Sequence, residues 1–189
     1  MISMLIRMLR RVITKHADPA GEIQEPDSSR IALTWSGEPG RLEELTHGML
    51  LDQAERAAGA LARLGVRAGD RVAVHLPLVP ESVIATLACG RLEAIRTTLP
   101  VSLTVPELVA RTRESSARVV ITADAAFWDG AVRPVKPLLD HALARAAASG
   151  QTPVGTVLVV NRCSRPVSWK PGRDLWWHEA LEGRTAACR

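Results

Sequence analysis

Residues 61–95 read LARLGVRAGDRVAVHLPLVPESVIATLACGRLEAI, and this stretch decides the architecture. Its first residues close a helix: Leu50, Leu51, Ala54, Ala57, Ala58, Leu61, Ala62 and Leu64 keep a 3.6-residue apolar stripe, and Gly65 is placed to end it. VRAGD then makes a turn, and RVAVHL over 71–76 is a strand. Pro77 and Pro80 bracket a loop feeding a second helix over 81–92, and a second strand is expected over 94–99. Helix, strand, helix, strand is the grammar of a parallel sheet.

The pattern continues downstream. Pro106 opens a helix over 106–115, ARVVITA over 117–123 is an apolar strand, and DAAFWDGAVRPVKP reads as a loop leading to a helix over 137–148. TVLVVN over 156–161 is the next strand. Strands that are apolar throughout are covered on both faces. The fold expected is α/β, with a partial, mostly parallel sheet of four or five strands flanked by helices and joined by right-handed crossovers. Upstream, RIALTW over 30–35 and residues 42–46 are short strands around a turn at SGEPGR.

The opening MISMLIRMLRRVITK sets Ile2, Leu5, Ile6, Leu9 and Ile13 at helical spacing, with Arg7, Arg10, Arg11 and Lys15 between them. The reading preferred is an amphipathic helix packed on the domain, over a membrane-surface helix or an organellar presequence; membrane contact by residues 1–15 is not expected. With the Pro-, Gly- and Ser-rich loop that follows, it forms an N-terminal segment over 1–29, ahead of a domain over 30–189.

Composition narrows the function. The chain has 24 Lys and Arg, of which only Lys15, Lys136 and Lys170 are lysines, and a net charge of +4. The arginines are scattered singly among Asp and Glu without interleaved aromatics, which is a solvated face and no nucleic-acid surface. Cys89, Cys163 and Cys188 are too few and too far apart for a zinc site or a disulfide framework, and point to a reducing cytoplasm. No apolar run is long enough to span a bilayer.

Chemistry is sparse. Neither a G-x-x-x-x-G-K-[ST] nor a G-x-G-x-x-G phosphate cradle occurs. The histidines, His16, His47, His75, His141 and His178, lack metal-ligand spacing. His75 reads as a structural histidine and Cys89 as a small core residue. Glu81, just after Pro80, complements a helix dipole. Read this way, the residues supply a fold and no mechanism: no catalytic and no metal-binding residue is assigned.

A resemblance carries the reading further. Gly65, Val66, Gly69, Asp70, Arg71, Val72, Ala73, Leu76, Pro77, Pro80 and Glu81, continued by Leu87, Ala88, Cys89, Arg91 and Ala94, match a block of the AMP-forming acyl-coenzyme A synthetases. WSGEPG over 35–40, VVITAD over 119–124 and GRDLWWHE over 172–179 fit the same family in order, the last being the most specific. The chain therefore resembles the N-terminal part of acetyl-coenzyme A synthetases, within the adenylate-forming superfamily. Residues 30–189 would then be an incomplete N-terminal synthetase/ligase domain, with the fold of that subdomain.

That resemblance implies ATP-dependent activation of a carboxylate and acyl transfer to coenzyme A, with ATP, magnesium and coenzyme A as the family's ligands. It also implies that the family's T-S-G-S-T-G-x-P-K-G loop, its nucleotide motifs and its catalytic lysine lie downstream of the W-W-H stretch. After Glu179 the tail GRTAACR has no hydrophobic period. The expectation is a truncated ligase-like protein, inactive and without cofactor on its own. The alternative is a non-catalytic binding module or split-enzyme subunit, partnered by the missing remainder or by a full-length homologue.

Two segments tied to coenzyme A in the family depart here. A glycine pair aligns with Val101 and Ser102, whose side chains remove the room for close backbone approach. Two phosphate-binding arginines align with Trp128 and Ala131, with the negative Asp129 between them. Arg133, two residues on, is the one candidate for a coenzyme A phosphate contact.

Overall fold

A computed structural model describes residues 27–150 and 154–183. The helix expected over 1–15, most of the loop after it and the end of the tail lie outside the described residues.

The chain begins with an antiparallel hairpin, β1 (Ile31–Glu38) and β2 (Arg41–Thr46). The strands run closer together than the sequence suggests, because the turn narrows to Pro39 and Gly40. Proline presets the second turn position, and Gly40 supplies the positive φ (+71°) that the third requires. Helix α1 (His47–Arg63) starts three residues earlier than its apolar stripe, because Thr46 caps it: the Thr46 hydroxyl accepts a hydrogen bond from the Met49 amide at 3.2 Å. Its end is a Schellman motif. Gly65 (φ +86°) sends its amide to the Ala62 carbonyl, and the Val66 amide reaches the Leu61 carbonyl, each at 3.0 Å.

The units that follow are β3 (Arg71–His75), α2 (Pro80–Arg91), β4 (Ile95–Thr98), α3 (Val105–Ser115) and β5 (Val119–Ala123). Helix α3 opens with a capping box between Thr104 and Glu107. A second hairpin comes next, β6 (Ala125–Trp128) and β7 (Ala131–Pro134), in the segment that reads as a loop by sequence. Asp129 (φ +52°) and Gly130 (φ +73°) make its two-residue turn, the Asp-Gly pairing that matches hairpin twist. Helix α4 (Lys136–Ala148), β8 (Thr156–Val160), β9 (Asp174–Trp176) and α5 (Trp177–Leu181) complete the order.

Five strands form one parallel sheet in the order β4-β3-β5-β8-β9, at the upper end of the expected count. Side chains alternate between two cores. Val72, Val74, Val119, Ile121, Leu158 and Val160 face α1, α2 and α5. Ala73, Val120, Val157 and Val159 face α3 and α4. Burial on both sides is why these strands read as unbroken apolar runs.

The two adjacent tryptophans sit on this divide. Trp176 is the last residue of β9 and packs on the α3/α4 side, whereas Trp177 opens α5 and is buried on the other. The Arg63 guanidinium ties the end of α1 to α5 through the Ala180 carbonyl at 2.8 Å. Among the described helices, none is long and apolar enough to cross a membrane.

Candidate functional site

Chain direction places the crevice. From β3 the chain moves to β4 on one side, and from β5 to β8 on the other, so the order reverses between β3 and β5. Open α/β sheets bind ligands outside the carboxyl ends of the strands at such a point. Here the loops after β3, β5 and β8 meet there, and the β1–β2 hairpin folds across them.

Arg162, two residues beyond β8, fills the position. Its side chain is fully buried, and its guanidinium lies 4.4 Å from the Trp35 ring centroid. Nη1 contacts Glu81 at 3.2 Å and Glu43 at 3.0 Å, and Nε contacts Glu38 at 3.3 Å. Arg41 adds a second cation, at 3.1 Å from Glu38 and 2.6 Å from Glu43. Three carboxylates thus face two guanidiniums. Burial by itself would lower the Arg162 pKa, but the charges of Glu81, Glu38 and Glu43 outweigh it and hold the guanidinium above its usual range.

Asp124, at the end of β5, fixes the loop carrying this arginine. Its buried carboxylate accepts backbone hydrogen bonds from Arg162 (2.8 Å), Cys163 (3.2 Å) and Arg165 (2.8 Å). Trp35 is tied in turn to the loop after β3, its indole N–H donating to the Leu78 carbonyl. The result is a crevice occupied by charges paired with one another, in which the buried Arg162 Nη2 and Glu43 Oε1 have no hydrogen-bond partner among the described residues.

The residues singled out by sequence fall into place around it. Glu81 sits in the first turn of α2, as its place after Pro80 implies, and also pairs with Arg162. His75 is buried with Nδ1 3.2 Å from the Thr122 hydroxyl across β3 and β5; burial pushes its pKa down to about 4. Cys89 is buried in the first core, and burial pushes its thiol up to about 11, which leaves it protonated and unreactive.

Val101 and Trp128 are both half-buried against the first core, so these two positions serve packing. Ala131 pairs with Trp128 across the hairpin, and Asp129 stands in the exposed turn. Arg133 lies on β7 opposite Ala126, half-exposed, with Asp129 at 3.9 Å as its carboxylate neighbour.

Sequence reasoning missed the Arg162 cluster and a second buried one. Lys136, wholly buried at the start of α4, contacts Asp140 (2.7 Å), Asp174 (2.9 Å) and the Ser168 carbonyl (2.6 Å), and Arg173 pairs with both aspartates. Burial works to raise the Asp174 pKa, but Arg173, the Lys170 amide and Lys136 pull it below the usual carboxylate range. A charged residue directly after an apolar strand, such as Asp124 after VVITA, was the available signal. Partners 81 to 124 residues away in the chain could not be read from it.

A magnesium ion does not fit these residues. No group of three or more His, Cys, Asp or Glu side chains among the described residues is set to hold a metal. Where Glu38, Glu43 and Glu81 do converge, a guanidinium already stands between them.

Comparison with known proteins agrees with this architecture. The family model described as AMP-binding enzyme matches residues 23–182. Acetyl-coenzyme A synthetase of Streptomyces coelicolor is 39% identical over 164 residues, covering 87% of this chain and 24% of the relative. The protein of the same name from Mycobacterium tuberculosis H37Rv is 42% identical over 166 residues, covering 87% and 25%. That of Deinococcus radiodurans is 37% identical over 161 residues, covering 85% and 24%. The chain thus spans about a quarter of the length of these relatives. With the family model spanning both hairpins and all five strands of the parallel sheet, the chain belongs to the AMP-binding enzyme family.

Proposed function

We propose that these 189 residues are a structural portion of an acetyl-coenzyme A synthetase-like, AMP-forming ligase, and that as an isolated polypeptide they carry out no adenylation. One observation carries the reading. The crevice at the carboxyl ends of β3, β5 and β8 is filled by Arg162, stacked on Trp35 and ion-paired with three glutamates. The packing roles of Val101 and Trp128 support it, since both stand where the resembling family keeps its contacts to coenzyme A.

On this reading the chain alone holds no ATP, magnesium or coenzyme A, and it resides in the cytoplasm, in keeping with the free thiols of Cys89 and Cys163. Arg133 is the residue proposed to meet a coenzyme A phosphate once a complete ligase is assembled. The test is acetate-dependent ATP–pyrophosphate exchange by the purified chain. Exchange at background level is expected, and robust exchange would overturn the proposal.

A second reading rests on exposed apolar groups. Leu78, in the loop after β3, is 91% exposed, and Ile95, on the edge strand β4, is 42% exposed. We propose these as contacts for a chain carrying the rest of a ligase, or for a full-length homologue, making this protein a split-enzyme subunit or regulatory module. Copurification with such a chain supports this, and a stable lone monomer counts against it.

A further inference from the structure

Helix α2 turns an uncharged face outward. Its sequence PESVIATLACGR carries charge only at Glu81 and Arg91, near its two ends. Ser82, Ile84, Ala85, Ala88 and Cys89 are buried, which leaves Val83, Thr86, Leu87 and Gly90 to face out. Val83 is 36% exposed and Leu87 half-buried. Thr86 turns its polar atom inward, its hydroxyl donating to the Ser82 carbonyl at 2.7 Å. A surface helix normally puts its charges on the outer face, and a helix apolar all round is covered all round.

The face continues onto α1. Helix α1 ends ahead of β3 and α2 begins after it, so both run against the strands and pack parallel to each other. The Glu55–Arg91 pair, at 3.4 Å, fixes how they are aligned. One turn before each partner stand Leu51 and Leu87, which brings the 47%-exposed Leu51 to the same groove. At the head of that groove the Ser28 carbonyl accepts a hydrogen bond from the Gly48 amide at 3.0 Å, one turn before Leu51. The chain therefore enters from residues 1–26 at the end of an apolar groove over Leu51, Val83 and Leu87.

We propose that residues 1–15 form a helix seated in this groove. Their stripe of Ile2, Leu5, Ile6, Leu9 and Ile13 faces away from Arg7, Arg10, Arg11 and Lys15, so seating the stripe leaves every charge in water. The lengths agree: 15 residues of helix span about 22 Å, and the 12 residues of α2 about 18 Å. Residues 16–26 can extend over more than about 35 Å, ample to bring the segment back from Ser28. Tethering also decides against a second copy of the chain. Three part-exposed side chains fall far short of the roughly 800 Å² per partner that a stable interface buries. A tethered segment meets them at an effective concentration of roughly millimolar order, and needs less. No residue of the Arg162 crevice takes part, so the proposal stands or falls apart from the ligase reading.

The experiment is photo-crosslinking in the full chain, with Val83→benzoylphenylalanine and, separately, Leu87→benzoylphenylalanine, mapped by mass spectrometry. Crosslinks to residues 1–15 of the same chain are expected, with a yield independent of protein concentration. Arg56→benzoylphenylalanine, at an exposed position of α1 away from the groove, should give none. Leu5→Asp/Leu9→Asp should cut the yield by at least about tenfold, because the groove would have to bury two carboxylates. Arg7→Ser/Arg10→Ser, on the other face, should leave it unchanged. Circular dichroism checks that each variant is folded. Absence of crosslinks to residues 1–15 from both positions, crosslinks joining two chains with a yield that rises with concentration, or a yield unaffected by Leu5→Asp/Leu9→Asp would each overturn the proposal.

Discussion

The Arg162 guanidinium lies over the Trp35 ring, 4.4 Å from its centroid, so a residue beyond β8 is stacked on the first strand of the chain. Desolvated cation–π contacts of this kind contribute up to about 2 kcal/mol. Here the contact also closes the crevice, because Glu38, Glu43 and Glu81 converge on the same guanidinium. Removing it with Arg162→Ala leaves three carboxylates against Arg41 alone. Breaking a buried pair from one side costs about 3–5 kcal/mol, and urea unfolding should show a loss of that order.

Gly37→Ala tests the other half of the contact. A Cβ at Gly37 would come within 2.8 Å of the Trp35 ring, which the Leu78 carbonyl holds in place. The indole has to move off Arg162 or the strand has to shift, and we expect a loss of about 1–3 kcal/mol. Tryptophan fluorescence should change with it, whereas Gly90→Ala, inside α2 where a Cβ meets nothing within 4 Å, should leave the fluorescence alone and raise stability by up to about 1 kcal/mol.

His75 sets a pH dependence. Its pKa falls from 6.5 in the unfolded chain to about 4 when buried, so the unfolded state binds the extra proton first. The stability contributed is present above pH 6.5 and is lost as pH falls from there toward 4. With about 1.4 kcal/mol per unit, the loss is roughly 3 kcal/mol. Denaturation midpoints across that window should fall in the native protein and fall less in His75→Gln.

Cys89 should resist thiol reagents. Its side chain is buried, and its thiol is pushed up to about 11, so neither access nor thiolate favours reaction near pH 8. Mass-mapped alkylation should leave Cys89 unmodified in the native protein and modify it in urea. Modification of Cys89 at the native-state rate of the half-exposed Cys163 would contradict the structure.

Most of the layered fold was legible because its signals are local. The Gly65 cap, the Val72–Val74 and Val119–Ile121 runs and the proline-led helices each act within a few residues. The β6–β7 hairpin was legible too, in its Asp129–Gly130 pair, but it passed as a loop because Ala125 and Ala126 carry little strand signal. The adjacent tryptophans give no local sign of the boundary between them; β9 claims Trp176 because it pairs with Val159, a partner distant in sequence, and Trp177 opens α5. The same limit hid the charge clusters. Arg162 looks like a surface arginine until Glu38, Glu43 and Glu81 are brought to it by folding.

Acetate-dependent exchange of labelled pyrophosphate into ATP by the purified 189-residue chain bears most directly on whether the filled crevice leaves any adenylation chemistry. Exchange indistinguishable from a no-protein blank is the outcome expected. Acetate-dependent exchange that scales with protein concentration would contradict it.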